Sequence, residues 1–407
     1  MAISVRTGTA DDFETVLRLM ASVFHDSNDE LVFTEADRQV FEPERSLLAV
    51  DGDQVVGHAG SFGRELTVPG GVVPAAFVTM VGVLGTHRRQ GIASDLLVRQ
   101  LTQVREAGEP VAILWASEGR IYQRFGYGLA TRRMSLDIDA REVRLNPRRS
   151  AGSRLKGGAP SDLLDDMSAV YESVREARPG FASRTKHWWE LVIADPPQRR
   201  YGAGPLRGIV HIGQSGPDGY ALYGTKQQWN DGGPNGEVHV RQLVAADPVA
   251  YQEIWRFLLE IDLTRSVSMW AGSVDEPLME LVNEPRRLGG RVGDGLWLRV
   301  THVPAALAAR RYGAPVDLVL EVSDALLPEN AGRYRLTGLR DGAHCVPSSD
   351  PADLALDAGT LGALYLGGAS AGALADAGRI RELRPGAIGE LHAAFGWHRA
   401  PAAIDMF

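Results

Sequence analysis

A chain of 407 residues, 44% hydrophobic and 23% charged, is long enough for two or three globular domains with real cores. No run of about 18 apolar residues occurs, so no membrane span is expected, and the single cysteine, Cys345, excludes a disulfide framework and a cysteine-rich zinc site. A net charge of −8 argues against general nucleic-acid binding and favours cationic partners.

The first residues lack the basic start and apolar run of a secretory signal, so a cytoplasmic protein is expected. Residues 3–6 read as a short strand. Thr9-Ala-Asp-Asp12 fits a capping box, and Phe13, Val16, Leu17, Met20 and Val23 recur behind it at helical spacing. Residues 46–50 and 54–61 flank Asp51-Gly52-Asp53, a hairpin signal. Strands at 65–68 and 72–83 follow, broken at Pro69-Gly70-Gly71. A helix from Ile92 to about Arg105 carries Leu96, Leu97, Leu101 and Val104 on one side, and 111–115 is another apolar strand. The order β-α-β-β-β-α-β predicts an α/β domain over residues 1–145.

Residues 146–160, rich in Arg, Gly, Ser and Pro, read as a linker. A second unit, 146–293, then opens with a helix carrying Leu163, Leu164, Met167, Val170 and Tyr171. Strands at 207–212, 219–226 and 237–245 lead to Asp247-Pro248, an N-cap with proline at the first helical position. The helix behind it carries Tyr251, Ile254, Trp255, Leu258 and Ile261. This strand-then-helix order echoes residues 78–101 without their glycine-basic turn. The last unit, 294–407, predicts a separate α+β module. Its strands are expected at 296–300, 316–322, 333–336 and 355–357, and helices or helical turns at 360–366, 371–377, 380–384 and 387–395.

The stretch from Val78 to Ser94 is the most informative. An apolar strand runs into Arg88-x-x-Gly91-x-Ala93, and an amphipathic helix starts there. A helix N-terminus has unpaired N–H groups and partial positive charge, so it can hold phosphate oxygens. Gly91 allows close backbone approach, and Arg88 and Arg89 can add charge-assisted hydrogen bonds. No Gly-Lys-Ser/Thr follows, and only one of the three dinucleotide-fingerprint glycines is present. Taken alone, the pattern also describes an exposed basic loop before a surface helix.

Context adds a resemblance. The strand, turn and helix are followed by strand 111–115 and by Ser117-Glu-Gly-Arg-Ile-Tyr-Gln-Arg-Phe-Gly-Tyr127, an order that resembles the GNAT family of acetyl-CoA-dependent N-acetyltransferases. The resemblance implies that Arg89, Gln90, Gly91, Ile92, Ala93 and Ser94, with Arg88 at the edge, hold the CoA pyrophosphate. It implies that Val81, Gly82 and Val83 bond the pantetheine arm, and that Ser117 and Glu118 contact the cofactor. Tyr122, Gly126 and Tyr127 match the family's Y-x-x-x-G-[FY] segment. A phenol near pKa 10 can protonate a departing thiolate. Tyr122 would also serve as a ring packed beneath the turn.

Three features narrow the resemblance: Ala116 through Gly128, Leu296-Trp-Leu-Arg-Val-Thr-His-Val-Pro-Ala-Ala-Leu307, and the ending Ile404-Asp-Met-Phe407. With the three-part layout they make the chain similar throughout to the enhanced intracellular survival (Eis) acetyltransferases of actinobacteria. That resemblance implies two tandem GNAT-type domains followed by a sterol-carrier-protein-like α+β domain. It further implies acetyl-CoA as cofactor, a homo-hexamer, and aminoglycosides or other cationic polyamines as substrates. Tyr122 is then the general acid, and the chain's own terminal carboxylate, on Phe407, the general base. The tail is also apolar enough to be a simple hydrophobic plug. Phe24 and Asp26 map to the substrate cavity, where Asp26 reads equally as a loop carboxylate. Met80 and Met406 fall where aminoglycoside-active relatives carry an aromatic and an acidic residue. These departures bear on the substrate and leave the acetyl-transfer chemistry intact.

Other signals read plainly. His87 is expected to shape the turn, and His187-Trp188-Trp189 to pack the second unit. His302, His392 and His398 lack metal-ligand spacing, so no metal is expected. Cys345 reads as structural. Two other activities fit the layout: acetylation of protein lysines or N-termini, and lipid carriage by the last module with a vestigial transferase region.

Overall fold

The computed structural model describes residues 3–25, 32–145 and 154–407. The first region carries β1 (Ser4–Thr7), α1 (Phe13–Val23), α2 (Glu35–Val40), β2 (Ser46–Asp51), β3 (Gln54–Val68), β4 (Gly71–Val83), α3 (Ile92–Glu106), β5 (Val111–Trp115), α4 (Gly119–Gln123) and β6 (Gly128–Leu129). The capping box forms: the Asp12 carboxylate accepts from the Thr9 N–H at 2.8 Å and from its hydroxyl at 2.9 Å. Two strands were expected between residues 54 and 68. One continuous β3 is found, because its ladder with β4 runs unbroken past Gly63 to the turn at Pro69 and Gly70.

The middle of the chain supplies β7 (Arg132–Asp139), β8 (Arg154–Gly158), α5 (Leu164–Arg175), α6 (Lys186–Ile193), β9 (Arg207–Gly213), β10 (Gly216–Lys226), a ribbon of β11 (Trp229–Asn230) and β12 (Gly233–Pro234), β13 (Gly236–Ala245), α7 (Pro248–Leu259), β14 (Thr264–Gly272), α8 (Leu278–Leu281) and β15 (Arg291–Asp294). The remainder carries β16 (Leu296–Val300), α9 (Val303–Ala309), β17 (Val316–Ser323), β18 (Gly332–Gly338), β19 (Ala343–Pro347), β20 (Leu354–Asp357), α10 (Ala358–Tyr365), α11 (Ala371–Asp376), β21 (Ile380–Glu382) and α12 (Ala387–Phe395). The helical turn expected at 380–384 is instead the edge strand β21, antiparallel to β20. The chain reverses at Gly378, at φ +72°, and too few apolar residues follow to define a period.

Two seven-stranded sheets interlock. The first has the order β1-β2-β3-β4-β5-β16-β6, and the second β15-β7-β14-β13-β10-β9-β8. Strand β7, which precedes residue 145, thus lies in the second sheet. Strand β16, expected to open the last module, lies between β5 and β6 in the first. Apolar patterning marks both as strands, but the partner is chosen by burial. All five residues of β16 are buried, and β5 is buried except at Trp115. The third sheet, β19-β18-β17-β20-β21, belongs to the last module.

The last module is fused to the first sheet by one core, which joins Phe62, Phe77, Ile113 and Leu298 to Leu318, Leu361 and Phe395. Helix α10 lies directly on β16 and β6. A Cβ on Gly128 would overlap the Gly359 carbonyl, and one on Gly362 the Leu298 carbonyl. Buried Arg310 ties the ends of α10 and α12 together, donating to the Tyr365 carbonyl at 2.6 Å and the Phe395 carbonyl at 2.9 Å, just before the tail begins.

Candidate active site

The site begins where two parallel strands part. β4 and β5 pair only over residues 75–77 and 111–113, and β4 then runs on to Val83 with its β5-facing edge unpaired. Val81, Gly82 and Val83 lie on that edge. On the other side the β3–β4 register shifts between His58 and Gly60. Opposite this irregularity Met80 adopts φ +50°, rare for a residue with a side chain. Its carbonyl accepts from His58 Nδ1 at 2.6 Å. His58 is fully buried, burial pushes its pKa down to about 4, and its Nε2 has no partner among the described residues. Sequence reasoning passed over His58. The available signal was one polar residue within the apolar run Val55-Val56-Gly57-His58-Ala59.

Beyond β4 the chain turns into α3. Gly91, at φ +82°, is the N-cap and no side chain caps this helix; Arg89 also has positive φ, +64°. Arg88, Arg89, Gln90, Gly91 and Ser94 are exposed, Ala93 is half-buried, and Ile92 is buried and anchors the first turn. The first-turn N–H groups therefore face solvent beside two guanidinium groups, an arrangement suited to a phosphate. His87 pairs with Thr86 at 2.8 Å and lies 3.4 Å from Asp51, so it shapes the turn.

Tyr122 follows β5, on α4. It is buried against Ala76, Val78, Leu114 and Trp297, with its ring edge-on to Tyr127 at 5.9 Å. Burial raises its pKa, and a hydrogen bond with Ser117 pulls the other way. Glu118 is exposed and pairs with Arg120 at 2.8 Å. Cys345 is buried, which pushes its thiol up to about 12 and leaves it inert.

The tail reaches the same gap from the other face. Phe407 packs edge-on against Phe77, with ring centroids 4.9 Å apart. Strand alternation puts Phe77 opposite Ala76 and Val78, so Phe407 and Tyr122 flank the parting strands from opposite faces. Trp115 Nε1, at the end of β5, donates to the Asp405 carbonyl at 2.8 Å. The Asp405 carboxylate is fully buried between Arg64 of β3, at 2.6 Å, and Arg184, at 2.5 Å. Burial alone would raise its pKa, but Arg184 and Arg64 outweigh that and hold it below the usual carboxylate range. Arg64 stacks over Trp188 at 3.9 Å and Arg184 over Tyr171 at 3.8 Å. Trp188 packs on Phe62 of the first sheet at 5.0 Å, whereas Trp189 packs within the second region. The aromatic pair thus bridges the two regions.

A cavity of about 450 Å³ opens beside the tail. Phe13 and Leu17 of α1, Asp37 of α2, Thr79 and Met80 of β4, Trp188 of α6, Arg241 of β13 and residues 404–407 line it. Met80, Met406 and Phe407 are therefore brought together, although the Met406 side chain is largely exposed. Phe24 is exposed past the end of the α1 apolar stripe and is not among the lining residues. Asp26 lies outside the described residues. Among the described residues no group of three or more His, Cys, Asp or Glu is placed to hold a metal ion, and no helix is long and apolar enough to cross a membrane.

Comparison with known proteins matches this geometry. Residues 4–130 and 180–300 each match an acetyltransferase (GNAT) domain family, and residues 303–403 match the sterol carrier protein domain. The chain is 44% identical to a protein of Streptomyces avermitilis described as an uncharacterized N-acetyltransferase, over 98% of both chains. It is 34% identical to the N-acetyltransferase Eis of Mycobacterium tuberculosis, over 97% of both. The crystal structure of Eis1 from Mycobacterium abscessus superimposes with a TM-score of 0.84 at 32% identity, covering 99% of this chain and all of that one.

Proposed function

The chain belongs to the Eis family of GNAT N-acetyltransferases, and we propose that it transfers acetyl from acetyl-CoA to an amine by direct attack, with Tyr122 as general acid and the Phe407 carboxylate as general base. One observation carries this reading. The tail places Phe407 on one face of the β4–β5 gap while α4 holds Tyr122 on the other.

The residues fit the CoA ester. The uncapped N-terminus of α3, with Gly91, Arg88 and Arg89, suits its pyrophosphate, and the unpaired edge at residues 81–83 suits its amide-bearing arm. When bound, acetyl-CoA supplies an activated acetyl thioester whose sulfur leaves as a thiolate. The Phe407 carboxylate attracts the amine and takes its proton as the new C–N bond forms. Its reference pKa of about 3.3–3.7 keeps it ionised at neutral pH. As the C–S bond breaks, Tyr122 gives its phenolic proton to the sulfur. Burial, by raising the Tyr122 pKa, keeps that proton in place at neutral pH. Solvent then restores both groups. The buried, high-pKa thiol of Cys345 favours direct attack over a cysteinyl intermediate.

The test is thiol release from acetyl-CoA with a panel of amines. Tyr122→Phe is expected to lose turnover by roughly 10²–10⁴-fold while CoA affinity stays within about twofold. A single glycine added after Phe407 is expected to do comparable damage by moving the carboxylate. An extended protein with full activity would exclude the terminal base. The hexamer implied by the family is part of this reading, and sedimentation of the purified chain checks it.

A further inference from the structure

The cavity beside the tail also bears on the acceptor, given the acetyl-transfer reading above. Two acidic side chains belong to its described lining, Asp37 and Asp405, and both are already engaged. Arg199 holds Asp37 at 2.9 and 3.0 Å, and Arg64 and Arg184 hold Asp405. Neither offers an unshared carboxylate to a polycation. Among the described lining residues the terminal carboxylate of Phe407 remains, and one carboxylate suits one amine.

The lining also carries a cation, Arg241 of β13. Arg241 uses Nη1 on the carbonyls of Val192 and Ala194, at 3.2 and 3.1 Å. Its nearest carboxylate, Asp195, is 4.0 Å from Nη2, beyond hydrogen-bond reach. Asp195 is held through its other oxygen, Oδ2, by Arg200 at 2.8 Å and by the Leu206 N–H at 2.8 Å, which fixes Oδ1 at that distance. Among the described residues the Nη2 and Nε hydrogens of Arg241 have no hydrogen-bond partner, and they are left for a ligand in the cavity. Much of the described lining is apolar and aromatic, including Phe13, Leu17, Phe62, Trp188 and Leu191.

We infer that the acceptor is a single amine on an apolar or aromatic body that also carries an acidic group, with Arg241 as the residue that selects for that acid. The amine faces Phe407, the body lies on the aromatic walls, and the acid takes the free donors of Arg241. An aminoglycoside or a linear polyamine would bring several ammonium groups beside Arg199 and Arg241, in a cavity whose described lining has no unengaged acidic side chain.

Three probes in the thiol-release assay test this: 4-(2-aminoethyl)benzoate, phenethylamine and spermidine. The benzoate should exceed phenethylamine in kcat/KM by about tenfold, the effect of one charge-assisted hydrogen bond, and exceed spermidine by more. Arg241→Met should bring the benzoate-to-phenethylamine ratio to about one, through KM. Arg241→Lys should restore part of it, which a merely structural role would not do. Spermidine as the best substrate, or a ratio that Arg241→Met leaves intact, overturns the inference and leaves acetyl transfer standing. No thiol release with any amine, in a protein that binds CoA, would instead overturn the transferase reading beneath it.

Discussion

The first and middle regions share a plan and differ in the charge around one helix start. In each, a long strand runs into a turn, a helix follows, and the next strand pairs in parallel with the first. β13 pairs with β14 over residues 236–240, as β4 does with β5 over 75–77, and each long strand then runs on with that edge unpaired. The helix starts diverge. α3 opens on Gly91 with no side-chain cap and two exposed arginines before it. α7 opens on Asp247, whose carboxylate accepts from the Val249 and Ala250 N–H groups at 2.7 and 3.4 Å, with Pro248 removing a further donor. The anion site of the second helix is filled by the chain itself. A cavity of about 460 Å³ still lies beside it, but Asp247, Asp275, Glu276 and Glu280 line it. Burial raises Glu276, although Tyr251 bonds it. The shape has been kept and the sign of the charge reversed, so the shape alone does not make a phosphate site.

The largest effect should come from separating the two regions. Asp405 ties Arg64 of the first sheet to Arg184 of the second region, so Asp405→Asn leaves two buried guanidinium groups with one neutral partner. Breaking a buried ion pair is worth about 3–5 kcal/mol. Urea midpoints should fall accordingly, and kcat should fall further than folding alone accounts for, because Phe407 loses its anchor. A variant with wild-type kcat would show that Phe407 is positioned without the clamp. The charge at the turn can be tested next. Gly91→Asp gives α3 the carboxylate of α7, at a positive φ that aspartate tolerates better than most residues. CoA affinity should drop about 100-fold by calorimetry, against a much smaller change for Ser94→Ala. A modest loss in Gly91→Asp would mean that the arginines, rather than the open helix end, hold the phosphates.

A third expectation concerns His58, which has no counterpart in the middle strand pair. Its folded pKa of about 4 lies below the unfolded 6.5, so the unfolded chain binds more protons between those values. Stability is therefore complete above about pH 6.5 and falls as pH drops toward 4, by about 2 kcal/mol at pH 5. His58→Gln should flatten the melting temperature between pH 7.5 and 5. An unchanged slope would place the acid sensitivity elsewhere.

Much of this is legible in the sequence. The turn at 88–94 announces itself because glycine, arginine and a helix start are local signals, and the same holds for the Asp247-Pro248 cap. The resemblance added Tyr122 and Phe407. Sheet membership was not legible: β7 and β16 look like any apolar strands, and only burial across more than a hundred residues assigns their partners. The Asp405 clamp was hidden for the same reason, since Arg64, Arg184 and Asp405 are separated by 120 residues or so in one case and over 200 in the other, and each looks like a surface charge. In the sequence Asp405 is simply the acid next to Met406. Its side chain instead lies buried in the wall, bound to two cations.

The smallest effect is the most discriminating. Asp247→Ala removes the cap of α7, worth about 1 kcal/mol, and should lower the melting temperature by roughly two to four degrees. It also frees the N–H groups that the carboxylate occupied, so the second helix end then resembles the first in that respect. CoA should nevertheless bind at one equivalent per chain, because Asp275, Glu276 and Glu280 still line the cavity and no arginine pair stands before α7. A second equivalent in calorimetry would show that a single self-filled helix end is all that separates the two regions. With one equivalent, the whole lining has to be counted, and the middle region has lost the phosphate site by charge at several positions rather than by one cap.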